Sequence, residues 1–311
     1  VGPLVEALRT LGAEVHWRGV EGHPPLTVIG GTLRGGETTI DAGESSQYLS
    51  ALLLAALGAR EPTTVFVTAL TSEPYVGVTL EQIVRRGGEI AVGSRGFGVR
   101  PGLRQLSANA EVEGDYSAAA YPAAAAALTG GEVTLLGLER ESAQGDRDFL
   151  HILAAMGAAV EWRGDELDVR GGSDLWAVTR DLSTMPDQVP TLAALLPFAR
   201  GKATIRNVPH LRIKESDRLA AMASELGRAG AVVKELADGL VIPGVWADKP
   251  LSDLPRTPVI VDAHGDHRIA MSMALVGLRR PRLEIAHPEV VAKSYPRFWD
   301  DLAALQRGGE R

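Results

Sequence analysis

The sequence predicts an α/β protein assembled from repeated βαβαββ modules, and three observations carry that prediction. Two kinds of helix-then-strand segment alternate along the chain, glycines punctuate the helix ends, and bulky aromatic side chains are scarce. Of the 311 residues 45% are hydrophobic, only 5% are aromatic and 35 are glycine, so Ala, Leu, Val and Gly must do the packing. That composition suits short helices laid closely on sheets, and the length suffices for two domains with sizeable cores.

The first kind of segment is an apolar helix, a glycine and a short alternating strand. It occurs at Leu4 to Trp17, Leu80 to Val92, Phe149 to Trp162 and Leu219 to Lys234. The glycine after each helix fits a left-handed C-cap, and the strand that follows carries its apolar residues on one face. The second kind is a small-residue helix leading to a β-branched strand. Its copies are Ser45 to Val67, Asp115 to Leu136, Asp187 to Val208 and Asp266 to Ile285. Asp115 and Asp187 are 72 positions apart, and Asp187 and Asp266 are 79 apart, which is one βαβαββ module per period. A module of that size cannot bury both faces of its sheet, so modules must stack.

A net charge of −7 argues against a nucleic-acid partner, and any positive site must be local. With no cysteine the chain can form neither a disulfide framework nor a thiolate metal site. No apolar run approaches the roughly 18 residues of a membrane span, and no signal peptide is visible. The chain begins at Val1 rather than Met and reads as a piece of something longer.

The polar residues keep one phase of the repeat. The second-kind helices start at Ser45-Ser46-Gln47, Asp115-Tyr116-Ser117, Pro186-Asp187-Gln188 and Asp266-His267-Arg268. Helix N-termini carry about half a positive charge and free N–H donors, so several converging on one cleft would bind an anion. Ordinary caps would use the same residue types. Arg268 is different, because a cation at the positive end of its own helix is disfavoured there and points to an anionic ligand. From Ser183 to Arg218 the pattern sharpens. Asp187 follows a proline and opens the apolar run Thr191 to Phe198, where it should cap the helix. The strand-like Ala203 to Val208 leads to Lys214, Glu215, Asp217 and Arg218 ahead of a helix over Leu219 to Leu226. Acids and bases at two helix starts could hold an anion and move a proton, and solvated caps with surface ion pairs would give the same string.

Eight stretches in order carry a family resemblance. They are Gly43-Glu44-Ser45-Ser46-Gln47-Tyr48-Leu49, Ser72-Glu73-Pro74-Tyr75, Glu113-Gly114-Asp115-Tyr116-Ser117 and Gln144-Gly145-Asp146, then Pro186-Asp187 and Arg212-Ile213-Lys214-Glu215-Ser216-Asp217-Arg218. Gly265-Asp266-His267-Arg268-Ile269-Ala270-Met271 and Ala292-Lys293-Ser294-Tyr295-Pro296 complete the set. With these the chain resembles the 5-enolpyruvylshikimate-3-phosphate synthases over essentially its whole length. The resemblance implies a two-domain enolpyruvyl transferase-like fold, an inside-out α/β barrel with helices inside, sheets outside and the active site in the cleft between domains. The domains would be 1–113, with two of three modules, and 114–311, with three modules but no N-terminal strand, the chain crossing at Glu113 to Asp115. The family's N-terminal Lys-Ser pair, further arginines and glycine-bearing loop have no counterpart here, so this chain alone is expected to be weak or inactive.

The implied reaction moves the enolpyruvyl group of phosphoenolpyruvate to the 5-hydroxyl of shikimate 3-phosphate and releases phosphate, in aromatic amino-acid biosynthesis. By resemblance Ser45, Ser46, Gln47, Ser72, Tyr75, Asp187, His210 and Lys214 bind shikimate 3-phosphate. Gln47, Arg218, Arg268 and Lys293 bind phosphoenolpyruvate, where glyphosate would compete. Asp187 is the implied general base and Glu215 the proton donor. His210 stands where the family usually has Asn. No cofactor and no metal is implied, nor a nucleic-acid or membrane partner, and the setting is the cytoplasm, as a monomer when complete. The alternatives are the sister UDP-N-acetylglucosamine enolpyruvyl transferase, a non-catalytic anion-binding remnant and a purely structural repeat protein. The Ser45-Ser46-Gln47 triplet and the Lys214 to Arg218 string favour the shikimate enzyme.

Overall fold

The protein is described by a computed structural model over residues 1–103 and 111–308. Helix α1 (Gly2–Thr10) leads to β1 (Glu14–Trp17), which pairs antiparallel with β2 (Leu26–Ile29). A complete module follows: β3 (Gly36–Ala42), α2 (Ser46–Ala56), β4 (Thr63–Leu70), α3 (Glu73–Arg85), β5 (Ile90–Gly93) and β6 (Gly96–Val99). Strands β3 and β4 are parallel because a helix carries the chain back across the sheet. A two-residue hairpin, Ser94-Arg95, makes β5 and β6 antiparallel, and the sheet order is β3-β4-β6-β5.

The same walk recurs twice. Helix α4 (Tyr116–Thr129), β7 (Glu132–Leu135), α5 (Phe149–Ala155), β8 (Ala159–Arg163) and β9 (Glu166–Arg170) form a sheet of order β7-β9-β8 with Gly164-Asp165 as its hairpin. Then β10 (Arg180–Asp181), α6 (Val189–Leu195), β11 (Lys202–Arg206), α7 (Arg218–Arg228), β12 (Lys234–Leu236) and β13 (Gly239–Pro243) repeat the full order, β10-β11-β13-β12. The final stretch pairs β14 (Val259–Asp262) in parallel with β15 (Leu283–Ala286) around α8 (His267–Arg279) and ends in α9 (Phe298–Gln306). The glycines expected to cap the first-kind helices take left-handed φ, from 72° at Gly87 to 109° at Gly157.

The chain divides into two compact units, Val1–Val112 with Ala143–Gly145 and Glu113–Ser142 with Asp146–Arg311. In the first unit α1, α2 and α3 cover the sheet with Leu11, Leu49, Leu52, Leu53, Val76 and Ile83. In the second, α4, α6 and α8 pack against one another. Alanines 123–127 of α4, all of α6 and His267 to Val276 of α8 are buried. A helix buried on nearly every side is an interior helix, and alanine lets such helices approach closely. The sheets lie outside them, as the alternating burial of β11 shows.

Candidate active site

In the second unit the site grows from three helix starts. Helix α6 follows β10 and α7 follows β11, two parallel neighbours, so both helices begin at the same edge of one sheet. Asp187 lies in the 3₁₀ turn Pro186–Gln188 just before α6. The sequence reading placed its carboxylate on the helix as a cap, and here the structure differs: Asp187 makes no cap. The second residue of α6 is Pro190, which has no N–H to offer. Asp187 turns to two guanidiniums instead, Oδ1 accepting from Arg218 Nη1 at 2.8 Å and Oδ2 from Arg268 Nη2 at 2.7 Å. Charge-assisted bonds of this kind are about twice as strong as neutral ones.

Arg218 opens α7, whose cap is Asp217, accepting from the Ala220 N–H. Its side chain is only 2% exposed and meets three carboxylates. Besides Asp187 these are Glu215, at 2.9 Å from Nη2, and Asp266, at 2.8 Å from Nε. Asp266 is fully buried, caps α8 through the Arg268 N–H at 2.9 Å, and accepts from Ser216 Oγ. Glu215 accepts also from Lys293, at the end of the 3₁₀ turn Pro288–Lys293. Arg268 therefore has an intramolecular anion, Asp187, opposite the unfavourable end of its helix.

These contacts set the protonation states. Burial alone would raise the Glu215 pKa, but the Lys293 hydrogen bond and the Arg218 charge bring it down to about 2. Burial works against ionised Asp187 as well, and Arg268 and Arg218 overcome it to hold its pKa below the ordinary value. Burial and the positive charge of Lys214 lower the His210 pKa, against the pull of Asp187. Burial and then Arg218 outweigh Asp187 and Glu215 to lower that of Lys214. His267 is pushed down to about 4 by burial and the adjacent Arg268, so it is neutral at physiological pH.

The first unit holds the remaining candidates at two more helix starts. Helices α2 and α3 follow the parallel strands β3 and β4, so both begin at the same sheet edge, and the two helices pack against each other. Ser45 caps α2 through the Gln47 N–H at 3.3 Å, and Ser46 is buried while Gln47 is exposed. Ser72 precedes α3 at φ 51°, a left-handed conformation costing a non-glycine residue about 1–3 kcal/mol. Its carbonyl accepts from the Tyr75 N–H at 3.1 Å.

Sequence reasoning thus found the cations and the acid pair but overlooked Asp266 and Ser216 as their partners. A signal existed for Asp266, which stands at the repeat phase occupied by Asp115 and Asp187. Chemically, the second-unit cluster can exchange internal carboxylates for the charged groups of an anionic ligand, and the displaced carboxylates can then take or give a proton.

A sequence profile of the family described as EPSP synthase (3-phosphoshikimate 1-carboxyvinyltransferase) matches residues 1–302. The 3-phosphoshikimate 1-carboxyvinyltransferase of Syntrophobacter fumaroxidans is 44% identical over 308 residues, covering 98% of this chain and 71% of the relative. That of Methanoculleus marisnigri is 42% identical, covering 97% and 70%. A solved EPSP synthase from Acinetobacter baumannii superposes with a TM-score of 0.78 at 28% identity, covering 98% of this chain and 69% of that one.

Proposed function

The chain belongs to the EPSP synthase family, and on that premise we propose how its residues divide the work of a 3-phosphoshikimate 1-carboxyvinyltransferase. Arg218, Arg268 and Lys293 take the phosphate and carboxylate of phosphoenolpyruvate, the two guanidiniums matching these groups bidentately. Ser45, Ser46, Gln47, Ser72, Tyr75, His210 and Lys214 hold shikimate 3-phosphate, with Gln47 also serving phosphoenolpyruvate. Glu215 protonates the methylene carbon, which makes the adjacent carbon electrophilic. The 5-hydroxyl attacks that carbon and gives its proton to Asp187. Glu215 takes one methyl proton back as the carbon–oxygen bond to phosphate breaks and the double bond re-forms, and phosphate leaves with the proton Asp187 had taken.

One observation carries this reading. Each cation assigned to phosphoenolpyruvate already holds a carboxylate assigned to proton transfer: Arg218 and Arg268 hold Asp187, and Arg218 and Lys293 hold Glu215. An anionic ligand drawing these cations away raises the proton affinity of both acids, so binding itself prepares the acid and the base. The curated relatives carry the name of the shikimate enzyme, which leaves the nucleotide-sugar transferase and the non-catalytic remnant without support. The same reading sets the protein in the cytoplasm as a monomer acting on small molecules. Among the described residues no helix is long and apolar enough to cross a membrane. Phosphate release by the full-length protein, given phosphoenolpyruvate with either shikimate 3-phosphate or UDP-N-acetylglucosamine, decides the acceptor. Turnover with shikimate 3-phosphate alone is expected, and turnover with the nucleotide sugar alone overturns it.

A further inference from the structure

One arginine of the motif that runs from Arg212 to Arg218 has no task in the reaction above. Arg212 sits in the 3₁₀ turn Pro209–Ile213, between the end of β11 and the start of α7. The same stretch supplies His210, Lys214 and Glu215, each assigned to the ligand or the proton. The Arg212 side chain reaches the β12–β13 hairpin instead. Its Nη2 donates to the Leu236 carbonyl at 2.7 Å, and Nε to the Ala237 carbonyl at 3.1 Å. Nη1 donates to Glu235 Oε1 at 2.7 Å and to Asp217 Oδ2 at 2.9 Å. Asp217 caps α7, so one guanidinium joins the hairpin, the 3₁₀ turn and the helix start that carries Arg218. The hairpin also holds the other end of the stretch. There Asp238 accepts from the Asn207 N–H through Oδ2 at 3.1 Å and from the Val208 N–H through its carbonyl at 3.0 Å.

We propose that Arg212 is a positioning residue for Lys214 and Glu215, pinning the segment that carries them to the β12–β13 hairpin. The inference rests on Lys214 binding shikimate 3-phosphate and Glu215 donating the proton. Between β11 and α7 the chain forms only one short 3₁₀ turn, whose own backbone bonds fix it weakly. An exposed ion pair would add little, but four bonds from one planar group set direction as well as distance. Lysine keeps the charge and cannot reproduce that fork. In the ligand-free protein Glu215 is held by Arg218 and Lys293 as well. Once those cations turn to phosphoenolpyruvate, the hairpin is what keeps the carboxylate in reach of the methylene carbon. A reacting group displaced by about 1 Å loses about 10²-fold in rate. The phosphoenolpyruvate arginines depend less on Arg212, because Asp187 and Asp266 hold Arg218 while Asp187 holds Arg268. Loosening the segment therefore acts on one substrate and on the proton, and spares the other substrate.

The test is steady-state phosphate release by the full-length protein and its Arg212→Ala, Arg212→Lys and Glu215→Gln variants, each well below its unfolding midpoint. Arg212→Ala is expected to lower kcat about 10–100-fold and to raise the KM for shikimate 3-phosphate about 3–10-fold. The KM for phosphoenolpyruvate should stay within about threefold of the parent. A merely structural role would reduce the amount of folded enzyme, which lowers apparent kcat and moves neither KM. Lower kcat with an unmoved shikimate 3-phosphate KM thus assigns Arg212 to stability alone and overturns the proposal. Parental values of all three constants overturn it as well. Arg212→Lys should stay closer to Arg212→Ala than to the parent, and full recovery by lysine shows that charge without the fork suffices, which also overturns it. Should Arg212→Ala fail to fold, Arg212→Lys carries the test on the same terms. Glu215→Gln keeps the two readings apart. Parental turnover there refutes the proton donor, whereas a slow Glu215→Gln beside a normal Arg212→Ala refutes only the role of Arg212.

Discussion

Arg218 and Arg268 share Asp187 but differ in what else depends on them. Arg218 also holds Asp266, which is fully buried and caps α8. Removing one partner of a buried ion pair strands the other, so Arg218→Ala should destabilise the fold by about 3–5 kcal/mol, measured by urea unfolding. Arg268 is itself buried and holds the other oxygen of Asp187, so Arg268→Ala should also lower the unfolding midpoint, by less than Arg218→Ala because Asp187 keeps its bond from Arg218. It should weaken phosphoenolpyruvate binding by about 2–5 kcal/mol in calorimetry. Unchanged affinity in the full-length protein refutes its assignment. The depressed Glu215 pKa adds a pH dependence with a definite sign. The group is ordinarily at 4.5 and falls to about 2 in the fold, so its stabilisation is fully present above 4.5 and disappears as pH drops toward 2. Glu215→Gln should flatten the urea midpoint across that window, and an unaltered slope counts against the Lys293 and Arg218 contacts as its cause.

At the scale of elements, the glycine punctuation was legible because it follows from local sterics. Gly157 ends the α5 segment at φ 109°, and a Cβ there would lie 2.8 Å from the Asp174 carbonyl oxygen. Gly157→Ala should therefore cost about 1–3 kcal/mol in unfolding free energy, from the left-handed backbone and that close approach together. Gly164 has no neighbour within 4 Å of its would-be Cβ, and at φ 63° asparagine can occupy it. Gly164→Asn should be tolerated. Equal losses at both sites would show that backbone conformation, not contact, sets the cost. The helix starts were harder to read. Ser45, Asp115, Asp217 and Asp266 cap as their residue types suggest, and Asp187 does not, because Pro190 removes a donor and two arginines compete for the carboxylate.

At the scale of the molecule, the two units differ in how much they bury. The first rests on a short list of side chains around Leu49, Leu52 and Val65, whereas the second surrounds three interior helices with a far larger core. Local opening is cheapest where apolar contact is sparse. Amide exchange should thus be faster in α1, α2 and α3 than in α4, α6 and α8, and uniform protection across both units would refute this. Saturating phosphoenolpyruvate with shikimate 3-phosphate should slow exchange around α7 and α8, whose first residues supply Arg218 and Arg268 to the proposed ligand.

By itself the sequence determined the module, its period and the ends of its helices, since hydrophobic spacing and glycine sterics act within a few residues. It also marked Asp187, Lys214, Glu215, Arg218 and Arg268 as charges gathered at helix starts, while Lys293 came from the family resemblance alone. Which charge meets which was decided by the tertiary structure. Asp187 reaches Arg218 across 31 positions and Arg268 across 81, and Arg218 reaches Asp266 across 48. Such pairs form only after modules stack and bring separate helix starts to one place, where burial strengthens each interaction. No local propensity records that stacking, so Asp266 read only as a helix start until the packed helices placed it beside Arg218.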